Sequence, residues 1–591
     1  MNPTEGLRPE HLLIAPLLIP FFTGALMLLY DDRRRWLKVG MGIASGLALL
    51  AVSIGLLNQA EAEASMRLYL LGNWPMPMGI VMVVDRLSAL MVMLTALLAI
   101  PAMIYAAAGW QGKGQHYHSL FQFLLFGLNG AFMTGDLFNL FVFFEVMLAA
   151  SYGLVLHGSG PDRIKAGLHY IAINLAASLL FLIGVALIYG ATGTLNMAEL
   201  SRISPLLEPD MRPLFHTGAA MLGLAFLVKA AIWPLCFWLP RTYAAASPPA
   251  AAMLAIMSKV GIYAILRLAM LNFAPGMGAS AGFGGPVLIL LGLATLTYSM
   301  FGILAARGLA SKAGYATLIS SGTIIAVVGF ALAGGGPGML SAALYYMVGS
   351  TIAVSAMFLL AEPLERSVRP EEEELDDGDE EASTVPSVEV LDWWGPMGLG
   401  AVEDDDAPAT TLPASVTALA MCFVVLVGFV AGLPPFSGFI GKVGIIWGML
   451  SETGRADGRI PGLVWVFMGV LFASGFAALI ALMRFGIRRF WVSPREGTPI
   501  LALEIAPVGL LLVMLMLLTV KAQAAMRYTD QTAATLLMPP AYAQSVLTSS
   551  PVGDEPQGPP VPAHLAPAPG GHSGLPPANN GSADQPAQVT P

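Results

Sequence analysis

Apolar runs of about 18–25 residues recur along nearly the whole of this 591-residue chain. Each is long enough to cross ~30 Å of hydrocarbon as an α-helix. In lipid every backbone polar group must be satisfied internally, so only helices and closed barrels span a membrane. The runs are continuous rather than alternating, which selects helices over strands. Composition agrees: 11% of residues are charged, where a soluble domain carries about 25%. The expected fold is an all-α polytopic membrane protein with about fourteen transmembrane helices. They fall at approximately 11–30, 37–58, 79–108, 119–135, 137–157, 166–190, 217–239, 249–271, 286–306, 312–333, 340–361, 414–450, 462–486 and 500–520.

The first segment follows Glu5, Arg8 and Glu10 rather than a basic run, so it reads as a retained helix and not a cleaved signal. Residues 362–413 carry Glu371 to Glu374, Asp376, Asp377, Asp379, Glu380 and Glu381. Such a run repels itself and stays solvated. Residues 540–591, rich in Pro, Gly, Ala and Ser, are expected to be a disordered tail. The net charge of −9 comes largely from the acidic loop, and no basic patch points to nucleic acid. Cys236 and Cys422 stand far apart inside apolar segments, and no His/Cys/Asp cluster has metal spacing, so no metal or cofactor is expected. With the amino terminus outside, Arg33, Arg34, Arg35, Lys38, Lys113, Arg163, Lys165, Arg307 and Lys312 are among the cations on the inner side, which holds about twice as many as the outer. Both termini would then be outside and the acidic loop cytoplasmic.

Four ionisable residues lie deep in apolar surroundings: Glu145, Lys229, Lys259 and Lys442. A charge at mid-membrane costs about 2.5–3.5 kcal/mol on insertion scales, and groups that costly mark ion or proton paths. Glu145 has no polar neighbour in sequence for several residues, and a Lys paired with it would stay charged. Lys229 precedes Pro234, which removes a backbone donor and breaks or kinks the helix. Lys442 follows Gly432-Leu433-Pro434-Pro435, a second break. Broken helices in corresponding parts of two halves are a pointer to transport sites built on inverted repeats. Lys259 has Ser258 and Tyr263 nearby as possible relay hydroxyls. Asp85 and Arg86 read most simply as an adjacent ion pair at a helix end. Asp136, beside Gly135, reads as the cap of the fifth helix. His169 is a possible proton relay or a bonded structural histidine.

The stretches 121–154 (FQFLLFGLNGAFMTGDLFNLFVFFEVMLAASYGL), 227–240 (LVKAAIWPLCFWLP), 247–267 (SPPAAAMLAIMSKVGIYAILR) and 432–442 (GLPPFSGFIGK) resemble the D-type subunits of the Mrp-type (Pha-type) multisubunit monovalent cation/proton antiporters. That family is related to the antiporter-like membrane subunits of respiratory complex I. The resemblance covers about residues 10–520. It implies two inverted five-helix repeats, 119–271 and 286–486, after three amino-terminal helices within 1–118 and before a last helix at 500–520. It implies a hydrophilic path at mid-membrane carried by Glu145, Lys229, Lys259 and Lys442. Partner subunits of types A, B, C, E, F and G, a bacterial inner membrane, and exchange of protons for Na⁺ or K⁺ are likewise implied. Two departures stand out. Relatives often have an acidic residue and a His after the WLP segment, where this chain has Arg241, Thr242 and Tyr243; and a His in the eleventh helix, where it has Gly349 and Ser350.

The leading reading is a secondary transporter subunit and not an enzyme. The first rival is the proton-pumping membrane subunit of an NADH:quinone oxidoreductase or membrane-bound hydrogenase, whose redox chemistry would sit in partners. The second is a structural paralogue that has lost conduction.

Overall fold

The computed structural model describes residues 11–62, 66–366, 414–457, 461–492 and 501–548. Most of the acidic loop and residues 549–591 lie outside the described residues, and so do the expectations that fall on them.

The chain opens with α1 (His11–Leu28) and α2 (Arg35–Ala62), followed by a short hairpin of β1 (Arg67–Leu70) and β2 (Val81–Val84). It continues through α3 (Arg86–Ala106), α4 (Tyr117–Met133), α5 (Leu137–Leu156), α6 (Pro161–Thr192) and a short α7 (Met197–Ile203). The broken pair α8 (Arg212–Lys229) and α9 (Trp238–Ala245) leads into α10 (Pro248–Phe273), α11 (Gly285–Ala305), α12 (Leu309–Leu332) and α13 (Pro337–Glu365). A second broken pair, α14 (Ala414–Ala431) and α15 (Ser437–Asp457), precedes α16 (Gly462–Ile487), α17 (Ala502–Val520), α18 (Ala522–Leu536) and α19 (Pro539–Leu547). Among the described residues ten helices are long and apolar enough to cross a membrane. The molecule is a helical polytopic membrane protein.

Sequence supplies the starts. Asp85 caps α3 in a reciprocal box with Ser88, and the Asp136 carboxylate accepts from the Asn139 N–H at 2.9 Å to cap α5. Proline opens α6, α10 and α13, where its missing N–H costs nothing. Burial sorts the helices into layers. The most apolar stretch of α10 is 100% buried and those of α12 and α13 are 94% buried, against 39% in α6 and 28% in α17. The first three form the centre, and the others turn a face outward. Gly184 and Gly218 bring the backbones of α6 and α8 together, and Gly292 and Gly322 do the same for α11 and α12. Small residues drive such contacts in lipid, where burying apolar surface against a neighbour gains little.

Two expectations need correction. The segment expected at 79–108 begins as a strand: Val81–Val84 pairs antiparallel with Arg67–Leu70, with Arg67 opposite Val84. The four valine and methionine residues alternate too little to separate strand from helix by pattern alone. The tail expected to begin at 540 instead starts with an ordered helix, α19, whose Tyr542, Ala543 and Val546 are buried. It packs on α7, and α18 packs on α13. These helices are amphipathic rather than apolar, so composition hides them.

Candidate functional site

The described chain buries five lysines: Lys38, Lys229, Lys259, Lys312 and Lys442. Their surroundings divide them. Lys38 pairs with Asp32 at 2.5 Å in the loop that follows α1. Lys312, in the first turn of α12, donates to the carbonyls of Ile303 (3.2 Å) and Ala306 at the end of α11. Both ammonium groups, expected among the inner-side cations, are held by acceptors near helix ends: a loop carboxylate for Lys38 and helix-end carbonyls for Lys312. The other three sit within the apolar layer, and among the described residues none of them is paired with a carboxylate.

Lys229 is the last residue of α8. Its Nζ lies 4.9 Å from the centroid of the Phe144 ring and has no hydrogen-bond partner among the described residues. Glu145, next to Phe144 on α5, is half-buried and accepts from Ser178 Oγ on α6 at 2.5 Å. No ion pair joins Glu145 to Lys229 in this structure: an aromatic face holds the lysine amine and a hydroxyl holds the carboxyl group. Beyond Lys229 the helix stops. The Trp233 N–H, freed at the break before Pro234, donates to Thr295 Oγ1 of α11 at 2.9 Å.

Lys259 is 1% exposed in the middle of α10. Its Nζ donates to Ser320 Oγ at 3.0 Å and Ser321 Oγ at 3.1 Å, both on α12. Ser320 Oγ meets Ser350 Oγ of α13 at 2.7 Å. The neighbouring hydroxyls turn elsewhere: Ser258 donates to the Ala255 carbonyl at 2.8 Å, and Tyr263 to the Phe132 carbonyl at 2.6 Å. A residue one position away in a helix points roughly 100° off, and one four positions on has its own partners.

Lys442, in the second turn of α15, donates to the Ala431 carbonyl at 3.0 Å. That carbonyl ends α14, where the helix dipole favours a cation. The Ser437 N–H, freed by the break at Pro434 and Pro435, donates to Thr519 Oγ1 of α17 at 3.1 Å. Each break thus has a backbone donor satisfied by a threonine from a neighbouring helix, as non-helical backbone at membrane depth requires.

The remaining candidates fall outside this group. His169 is exposed on α6, its Nδ1 3.1 Å from the Lys165 carbonyl of its own helix, and it joins no buried network. Asp85 does not pair with Arg86: its carboxylate is held in bidentate fashion by Arg267 of α10, with Nη2 to Oδ1 at 2.8 Å. Arg267 also donates to Tyr263 OH at 3.1 Å and lies over the Tyr542 ring of α19. Arg86 offers its carbonyl to Tyr528 OH of α18 at 2.9 Å. Asp136 is spent on its cap. Sequence reasoning missed Ser320, Ser321, Ser178 and the two threonines. The signal lay in hydroxyls grouped within otherwise apolar helices, notably Ser320-Ser321.

Where α13 ends, Glu362 accepts from Trp110 Nε1 at 2.7 Å and Tyr105 OH at 3.1 Å. Arg366 bridges Glu362 (2.9 Å) and Glu504 (2.7 Å). A cavity of about 570 Å³ opens beside them, lined in part by Lys113, Arg163, Tyr243 and Glu362. The Tyr243 OH donates to the Leu254 carbonyl at 2.7 Å.

The carrier helices pack in series: α8 on α10, α10 on α12, α12 on α13, and α13 on α15. A helical membrane protein with amines buried along packed helices and two helices broken beside them has the form of an ion-translocating subunit. Residues 134–386 match the family model described as NADH:quinone oxidoreductase/Mrp antiporter, TM. The chain is 46% identical to the D-type subunit of a probable K⁺/H⁺ antiporter of Rhizobium meliloti (strain 1021), covering 92% of this chain and 99% of the relative. It is 31% identical to the D-type subunit of the Na⁺/H⁺ antiporter of Bacillus subtilis (strain 168), over 91% and 99%. Among solved structures, a chain of the Mrp complex from Dietzia sp. DQ12-45-1b superposes with a TM-score of 0.72 at 25% identity, covering 92% of this chain and 100% of that one. This chain belongs to the family of D-type subunits of Mrp-type monovalent cation/proton antiporters.

Proposed function

We propose that this chain is the proton-translocating subunit of a multisubunit antiporter, moving protons past Glu145, Lys229, Lys259 and Lys442 in exchange for a monovalent cation. The observation that carries the reading is the burial of three ammonium groups in the apolar layer, each held by neutral groups or by none. Groups so placed cost several kcal/mol, and groups that costly mark ion or proton paths. Of the two relatives named above, the more similar is named for K⁺, which favours K⁺ over Na⁺. Partner subunits of the A, B, C, E, F and G types, a bacterial inner membrane, outward termini and two inverted five-helix repeats belong to the same reading.

The open Glu145–Lys229 arrangement fits a two-state element. With the pair closed, the carboxylate holds the ammonium and its proton. With it open, Lys229 rests on Phe144 and Glu145 on Ser178, and no carboxylate opposes release of the Lys229 proton. That proton passes along the packed helices toward Lys259 and Lys442. The cavity beside Glu362 serves as a polar mouth on the inner side. A driving potential of 100 mV supplies about 2.3 kcal/mol per charge, comparable to the cost of shifting such a pair. Neutralising the anion tests this directly. Glu145→Gln, in the complete complex in everted vesicles, is expected to abolish cation-dependent collapse of a pH gradient while the complex still assembles. Full retained exchange by an assembled Glu145→Gln complex would remove the proposal.

A further inference from the structure

At the end of the bundle opposite the Glu362 cavity, α10 and α17 finish and α3 and α13 begin. The amphipathic helices α18 and α19 lie across that end. Tyr528 and Thr529 of α18 and Tyr542 of α19 are buried, while Asp530 and Gln544 face outward. The inward face touches four membrane helices. Tyr528 OH donates to the Arg86 carbonyl at the start of α3 at 2.9 Å. Thr529 Oγ1 meets Ser341 Oγ, near the start of α13, at 2.9 Å. The centroid of the Tyr542 ring lies 5.5 Å from the guanidinium carbon of Arg267 on α10. A Cβ added at Gly444 of α15 would stand 3.5 Å from Met526 Cε of α18. Under this cover the Arg267 and Asp85 side chains are only 5% and 11% exposed, although they stand in the last two turns of α10 and at the cap of α3. Lys259 lies about 12 Å further in along α10, at 1.5 Å per residue. Lys442 stands less than one turn from Gly444 on α15.

We infer that α18 and α19 form a seal over this end of the bundle, which shuts the amines of α10 and α15 off from water on that side and prevents proton leak when no cation is exchanged. The inference rests on the proposed function, because a seal matters only where the groups behind it exchange protons. A leak needs an unbroken file of water or titrating groups from the surface to an amine. Tyr528 and Tyr542 stand over the junction of α3, α10 and α13, where that file would enter. Behind them stands Arg267, held by Asp85. A guanidinium does not release its proton, so it cannot take the place of a missing water. The seal is held by few polar ties, and local opening of the two helices sets the residual leak.

The experiment uses the complete complex in everted vesicles and reads two rates. One is the decay of an imposed pH gradient with choline as the only added cation; the other is its collapse on adding K⁺ or Na⁺. Tyr542→Ala removes the ring over Arg267. Tyr528→Phe with Thr529→Val removes two polar ties at nearly constant volume, and decides the matter if Tyr542→Ala fails to assemble. Each is expected to raise the choline rate at least about fivefold, because leak follows the open population. Gln544→Ala, on the outward face of α19, is expected to stay within about twofold of wild type. Adding Lys259→Met to Tyr542→Ala is expected to bring the choline rate back to within about twofold of wild type; a complex that is merely damaged leaks whether or not Lys259 is present. Wild-type choline rates in the assembled seal variants overturn the seal, as does an equal rise in Gln544→Ala or a leak that survives Lys259→Met, and each of these leaves the proposed function intact. A wild-type complex whose gradient responds to neither K⁺ nor Na⁺ overturns the proposed function itself, and the seal with it.

Discussion

The site of Lys442 is tight enough to be disturbed by one methyl group on a different helix. A Cβ added at Gly475 of α16 would lie 2.9 Å from Lys442 Nζ and 2.9 Å from the Ala431 oxygen, the two atoms that hydrogen-bond at 3.0 Å. Carbon contacts are optimal at about 3.5–4.0 Å, so the amine or the end of α14 must give way by about half an ångström or more. If the packing yields, overpacking costs about 1–3 kcal/mol. If the amine moves instead, a hydrogen bond from a charged group worth about 1.5–3 kcal/mol is lost. The two penalties are alternatives rather than a sum. Alanine gains about 0.5–1 kcal/mol over glycine inside a helix, leaving about 1–2 kcal/mol against the native amine position. A factor of ten in rate corresponds to about 1.4 kcal/mol, so Gly475→Ala is expected to slow cation-dependent pH-gradient collapse by about 5–30-fold. Gly469→Ala supplies the comparison. It lies on the same helix with nothing within 4 Å of its Cβ, gains only the helix preference, and should exchange within about twofold of wild type. Equal rates for the two alanine variants in vesicles carrying equal amounts of complex would refute the claim that the Lys442 position matters for transport.

Two further outcomes concern groups that the structure assigns to stability. Arg267 and Asp85 form a bidentate pair whose side chains are 5% and 11% exposed, and removing one partner of such a pair costs about 3–5 kcal/mol because the other charge is stranded; Arg267→Met is expected to lower the thermal midpoint of the purified complex, Asp85→Asn with Arg267→Met to recover part of the loss, and an unchanged midpoint in the single variant would count against the pair as an anchor. In the loop after α1, burial pushes the Asp32 carboxyl up, but the Lys38 amine and the His116 N–H and ring outweigh it and hold the carboxyl below its ordinary value. A depressed value in the folded state means that this contribution is complete above the unfolded value, about 3.9, and is lost as pH falls through the lower folded value. The difference in midpoint between wild type and Asp32→Asn should therefore be constant above about pH 5 and shrink below about pH 4; a difference that grows on acidification would contradict the sign.

Much of this was legible in the sequence because membrane insertion makes charge expensive. Lys229, Lys259 and Lys442 stand out against apolar neighbours without any knowledge of their partners, and most of the expected apolar segments are occupied by a helix or a broken pair, the start of 79–108 being a strand. Partners were not legible. Lys259 meets Ser320 and Ser321 across a separation of 61 and 62 residues, and Asp85 reaches Arg267 across 182. No local periodicity encodes such contacts. Adjacency misled at Asp85 and Arg86, because neighbouring residues at a helix start point different ways, and at Ser258, for the same reason within a helix. His169 misled because a histidine in an apolar segment can as well face outward as inward; here α6 turns that face away from the core. The hairpin and α18–α19 were hidden because four-residue strands and amphipathic helices carry too few apolar residues to register beside twenty-residue runs.

Partner chemistry separates the cations that fix this fold from those that can carry a proton. Arg267 is held by a carboxylate through two hydrogen bonds, and guanidinium does not release its proton in a protein; that pair ties α10 to the start of α3. Lys38 is likewise held by a carboxylate, and Lys312 by two carbonyls at the end of α11. Lys259 has only hydroxyls, Lys442 one helix-end carbonyl, and Lys229 an aromatic face. Neutral partners stabilise an ammonium without opposing its deprotonation as strongly as a carboxylate does. The balance between charged and neutral amine then falls within reach of the few kcal/mol that a membrane potential provides. Breaking a helix beside Lys442 creates such a partner, because only a helix end exposes carbonyls not already used by its own turns. On the proposed function, the proline break beside Lys442 is then part of the proton chemistry. On the proposed function, replacing a neutral partner of these lysines with a carboxylate is expected to pin the adjacent amine charged and slow cation-dependent pH-gradient collapse in everted vesicles; unchanged exchange would count against the argument.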